Sequence, residues 1–148
     1  MTATLDPTDL PAAAALDAPS DPTTQRILRA LADSLPGVRG ALVASVDGRP
    51  VAAVLPQHEA SSTAAIVAAS LGLGSRLADL AGEGALQEIV VRSGSGYVVI
   101  YAVGERGVLT VLTTASVNLA LLHLRARDAR ADLVEPLRRH LDADTPAP

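Results

Sequence analysis

The chain has 148 residues, 49% hydrophobic and 19% charged, with a formal net charge of −4; that suits one globular domain with a real core, and disfavours nucleic acid as a partner. Lysine and cysteine are absent, which excludes Walker-type phosphate loops, Schiff-base chemistry, thiol nucleophiles, thiolate metal sites and disulfides. With two Tyr and no Phe or Trp, the core must be packed from Ala, Val, Leu and Ile.

Residues 1–20 hold Pro7, Pro11 and Pro19 without periodicity and are expected to be a flexible tail, as are residues 142–148. The domain is expected over 21–141. A first helix starts near Asp21-Pro22, an acidic cap before a proline suited to the first turn. Ile27, Leu28, Leu31 and Leu35 give its apolar stripe, and Pro36-Gly37 stops it.

Strand one covers Arg39 to Val46. Asp47-Gly48 is a two-residue hairpin signal, and strand two runs over Arg49 to Leu55. Pro50 cannot donate to a ladder, which puts this strand at a sheet edge. Pro56 to Ser62 reads as a loop, followed by a second helix to about Leu80, stopped by residues 81–84. Strand three (86–93), strand four (97–103) and strand five (108–113) follow, separated by Gly94-Ser95-Gly96 and by Gly104 to Gly107. A third helix runs from near Ser116 to about Leu141, with Leu119, Leu122, Ala126, Ala129, Leu133 and Leu137 inward and Pro136 bending its end.

The order is α-β-β-α-β-β-β-α, an α+β fold. Strands one, four and five are apolar on both alternating faces and so belong at the centre. Tight turns pair neighbouring strands, giving an antiparallel five-stranded sheet of order 2-1-5-4-3. Helix two crosses one face, and helices one and three cover the other.

Helix two carries two apolar stripes. Ile66, Ser70, Leu73, Leu77 and Leu80 alternate spacings of four and three, like a coiled-coil seam. Val67, Leu71, Gly74 and Ala78 lie beside it. One sheet needs about one stripe, so two stripes suggest a second partner; a buried helix in an alanine-rich monomer is the alternative. Strand three offers Ile89, Val90 and Val91 on an edge open to pairing, unless Glu88 and Arg92 protect it. Ala68, Ala69, Gly72 and Gly74 would permit close backbone approach.

No catalytic set stands out. His58, His123 and His140 share no metal-ligand spacing, and Gly94-Ser95-Gly96 opens no helix to hold a phosphate. The arginines of helix three interleave with acids and read as a solvated face. Tyr97 and Tyr101 share a face of strand four and read as core. No catalytic residue, cofactor or metal is expected. The first 25 residues hold no Arg and no apolar signal core, and the longest apolar stretch falls short of the roughly 20 residues of a membrane span. The expectation is a cytoplasmic protein without a membrane span, and all-arginine usage fits a GC-rich bacterial genome.

Residues 35–41 (LPGVRGA), 46–52 (VDGRPVA), 108–112 (VLTVL) and 118–122 (NLALL) stand in the order and spacing of a known family. Over about 22–141 the chain resembles the roadblock/LC7 family, including its bacterial MglB-like members. That resemblance implies a profilin- or longin-like fold and a homodimer formed by helix two and strand three, hence by Ile66, Ser70, Leu73, Leu77, Leu80, Ile89, Val90 and Val91. It also implies a non-enzymatic module that binds and regulates, or scaffolds, a Ras-like small GTPase. The polar positions of helix two, Ser62, Ser75, Arg76 and Asp79, would rim the GTPase contact. A small-molecule sensory domain of profilin or PAS shape is the competing reading, weakened by the lack of aromatic residues to line a pocket; a small enzyme is a third.

Overall fold

The computed structural model describes residues 21–147, so the tail expected over 1–20 lies outside the described residues. The elements are α1 (Pro22–Asp33), β1 (Val38–Ser45), β2 (Pro50–Val54), α2 (Gln57–Ala81), β3 (Glu88–Arg92), β4 (Gly96–Val103), β5 (Gly107–Thr114) and α3 (Leu119–Ala143). The five strands form one sheet of order β2-β1-β5-β4-β3, antiparallel at every pairing. The α+β architecture read from the sequence is therefore the observed one. The central pairing joins β1 to β5, with Val43 opposite Leu109.

Local signals start and stop the helices. The Asp21 carboxylate accepts from the Thr24 backbone N–H at 2.9 Å and from its hydroxyl at 2.8 Å, with Pro22 in the first turn of α1. Asn118 caps α3 by accepting from the Leu121 N–H at 3.0 Å. Gly82, at φ 68°, ends α2 in the left-handed conformation, which glycine adopts without Cβ strain.

The largest departures from the expected boundaries are in three elements. Residues 57–62 are the first turns of α2 and not a loop: Ala60 and Ala64, one turn apart, are both buried on the sheet, and packing decides the state. α3 begins after Asn118, and it continues through a buried Pro136 to Ala143, two residues beyond the expected end. Its last turn is tied down by Arg106 to Asp142 at 2.6 Å, and by an ion pair from Arg49 to Asp144. β3 is shorter than expected and begins at Glu88.

The sheet is covered on both faces. On one, Leu28 and Leu31 of α1 and Leu122, Leu133 and Leu137 of α3 pack on Val43, Val99, Leu109 and Val111. On the other, Ala60, Ala64, Val67 and Leu71 of α2 pack on Leu42, Ala44, Ile100 and Val108. The edges are treated differently. At β2 the Gln25 side chain donates to the Ala53 carbonyl at 2.9 Å and accepts from the Ala53 N–H at 3.1 Å, occupying both groups as a neighbouring strand would. Among the described residues, β3 has no such cover.

Thr110 lies on β5 beneath α2, in register with Leu42 and Ile100, and its buried hydroxyl has no hydrogen-bond partner among the described residues. An orphaned hydroxyl keeps its desolvation cost without return. Thr110→Val is expected to stabilise the fold by about 1 kcal/mol in urea denaturation; a loss of stability would mean that the hydroxyl is satisfied.

Candidate interaction surface

The two stripes of α2 meet different surroundings. Ala60, Ala64, Val67 and Leu71 are buried on the sheet. The seam is open: Ile66, Leu73, Leu77 and Leu80 are 66%, 65%, 67% and 85% exposed. Ser70, between them, is half-buried and donates its hydroxyl to the Ile66 carbonyl at 2.9 Å. Among the rim residues, Ser62, Arg76 and Asp79 are exposed and Ser75 is half-buried.

Gly74 sits between the two stripes. A Cβ there would lie 2.7 Å from the Ile89 side chain and 3.0 Å from that of Leu86, so the missing side chain lets α2 rest on β3. Gly72 has open space around it. At about 100° per residue, the seam lies to one flank of Gly74 and the buried stripe to the other. The seam therefore faces outward on the β3 side of the molecule.

β3 alternates as a strand must. Ile89 is half-buried beneath α2 and shares that face with Val91, while Val90 points to the opposite face with Glu88 and Arg92. The three apolar residues grouped by sequence thus lie on two faces. Val90 and Val91 are exposed.

One cluster escapes sequence reading. His123 Nδ1 of α3 lies 3.0 Å from the Glu88 carboxylate and 2.9 Å from the Tyr101 hydroxyl. Arg130 stacks over the Tyr101 ring at 5.7 Å from its centre and donates to the Ala102 carbonyl at 2.7 Å. Burial holds the Tyr101 hydroxyl well above its usual range, the Glu88 charge raises it further, and Arg130 opposes both. The hairpin at residues 93–96 sets Glu88 opposite Tyr101, so the strand register could have revealed that pair. Nothing local brings His123 to them. The cluster ties edge strand β3 to α3.

Among the described residues no group of three His, Asp or Glu side chains could hold a metal ion. A groove of about 430 Å³ between α1 and α3 is rimmed by Arg26, Arg125, Asp128 and Asp132, and a cleft of about 260 Å³ beside the β4–β5 turn by Val134, Leu137 and Arg138. Neither has an aromatic lining, so neither favours a sensory pocket. Over Glu59–Ala81, α2 is long and apolar enough, by length and composition, to cross a membrane. Polar residues interrupt it at Ser70, Ser75, Arg76 and Asp79, and the sheet covers its inner face.

The roadblock/LC7 domain model matches residues 24–113. The chain belongs to the roadblock/LC7 family. An uncharacterised protein of Methanocaldococcus jannaschii is 32% identical over 102 residues, 68% of this chain and 88% of the relative. The roadblock/LC7 domain from Streptomyces avermitilis superposes with a TM-score of 0.69 at 24% identity, covering 79% of this chain and 96% of that one. Myxococcus xanthus MglB superposes at 0.70 with 18% identity, covering 84% and 95%. At these identities the superpositions establish the shared fold, and this roadblock/LC7 domain keeps the family's three helices and five strands.

The Tyr101 shift has a stability consequence. The folded state holds the phenolic proton at pH values where the unfolded chain has lost it. The contribution is fully present below the unfolded value, about 10, and is lost as pH rises toward the folded one. Urea denaturation between pH 9 and 12 is expected to show stability falling above about pH 10, with a shallower fall for Tyr101→Phe. Equal slopes would place Tyr101 in a solvated setting.

Proposed function

We propose that this roadblock/LC7 domain is a homodimeric, non-enzymatic module of the cytoplasm that binds and regulates, or scaffolds, a Ras-like small GTPase. The observation that carries the proposal is the pairing, on one side of the molecule, of an open aliphatic seam with an open strand edge. Fully burying each aliphatic side chain is worth about 1.5–3 kcal/mol, and four large ones stand exposed along α2. A second copy brings the same seam and the same edge, as a two-fold interface requires. The dimer interface would comprise Ile66, Ser70, Leu73, Leu77 and Leu80 with Ile89, Val90 and Val91.

The GTPase assignment follows from family membership and from the character of the surface. Two α2 helices side by side would make a shallow apolar platform rimmed by Ser62, Ser75, Arg76 and Asp79. An apolar centre with a polar rim suits a protein contact. The absence of lysine leaves no phosphate loop in this chain, so the nucleotide chemistry belongs to the partner.

Sedimentation at micromolar concentration is expected to give twice the 15.1 kDa chain mass. Leu73→Asp should give a folded monomer, because Leu73 is exposed in the single chain while the carboxylate would lose its hydration at the interface. A monomeric wild type, or a variant that still dimerises, would remove the seam from the interface.

A pull-down against the host's small GTPases, loaded with GDP or a GTP analogue, should retain one of them. Arg76→Glu should weaken that binding and Arg127→Glu, at an exposed position of α3, should not. The reverse pattern would put the partner on the α1/α3 face.

A further inference from the structure

The open edge of β3 contains its own register. Its ladder to β4 is anchored by the Ala102 N–H donating to the Gln87 carbonyl at 3.4 Å and the Ser93 N–H donating to the Gly96 carbonyl at 2.9 Å. In an antiparallel pair, bonded residues alternate along the strand. Gln87, Ile89, Val91 and Ser93 therefore turn their backbone groups toward β4. Glu88, Val90 and Arg92 turn theirs outward, unpaired among the described residues.

If two copies join here about a two-fold axis normal to the sheet, both α2 helices stay on one face. Residues directly opposite must then share a face, so the axis passes through a residue and not between two. An axis at Ile89 places Arg92 opposite Leu86, outside the strand, and an axis at Val91 places Glu88 opposite Gly94 in the turn. Only an axis at Val90 gives all three outward residues a bonded partner. It sets Val90 against Val90 and Ile89 against Val91.

The same axis sets Glu88 against Arg92 of the second copy, twice. The strand reads Glu-Ile-Val-Val-Arg, acidic at one end and basic at the other around an apolar middle. Among the described residues Arg92 has no ion-pair partner within the chain, and Glu88 reaches only His123. Resting on the dimer proposed above, we propose that β3 pairs with β3 of a second copy in a register centred on Val90, and that reciprocal Glu88–Arg92 pairs select this register. Glu88 then lies between His123 of its own chain and the partner's Arg92, linking the interface to α3.

Charge reversal tests the register. Glu88→Arg alone sets two arginines face to face at both positions, and Arg92→Glu alone sets two glutamates face to face. Directly opposed like charges destabilise a strand pair, so each single variant is expected to dimerise on the order of tenfold more weakly. An equimolar mixture of the two variants sets arginine against glutamate at both positions. Native mass spectrometry should show mostly mixed dimers, with affinity restored toward wild type. The double variant Glu88→Arg with Arg92→Glu should also self-associate normally. Arg92→Glu leaves the Glu88–His123 contact untouched, so its effect is free of that change. A dimeric wild type whose single variants are not rescued by mixing overturns the register and leaves the dimer standing. A monomeric wild type overturns both.

Discussion

The central strands β1, β4 and β5 are apolar on both faces and so have to be covered on both, and the chain supplies two helices for one face and a single helix for the other. Strands lie about 4.8 Å apart and a helix with its side chains is about 10 Å across, so α2 alone is narrower than the sheet it covers. Its inner stripe is made small to bring it close: Ala60 and Ala64 press on the sheet, and Gly74 lets it settle on Ile89 and Leu86. The open side of α2 follows from this shortage of cover. The exposed seam and the bare β3 edge are two aspects of one vacancy.

The two sheet edges show that this vacancy is selective. β2 begins with a proline that cannot donate, and both backbone groups of Ala53 are taken by the Gln25 side chain. β3 keeps an open row of donors and acceptors with apolar residues along it. Among the described residues, the sheet is capped at β2 and open at β3. Two bare edges would permit endless strand addition, whereas a single open edge permits only a closed pair.

The sheet order was legible because each hairpin is short and each turn is marked, by Asp47-Gly48, by Gly94 to Gly96 and by Gly104 to Gly107. The double stripe of α2 was legible because a 3.6-residue period separates two faces cleanly. The start of α2 was not, because Pro56, Gln57 and the serines that follow resemble a loop, and only the burial of Ala60 and Ala64 makes them helix. Ile89, Val90 and Val91 were legible as an apolar edge, and the strand alternation sends Val90 to the far face. The Glu88–His123–Tyr101 cluster depends on how α3 lies across β4, which no local pattern encodes.

The pairing of β1 with β5 has a consequence for synthesis. β1 lies near the start of the domain, and its second neighbour arrives only after β2, α2, β3 and β4 have been made. A growing chain can form the β1–β2 hairpin early, yet one side of β1 stays bare until β5 leaves the ribosome. Such distant pairing slows folding and lengthens the exposure of apolar strand. Of the five strands, β1 waits longest for its second partner.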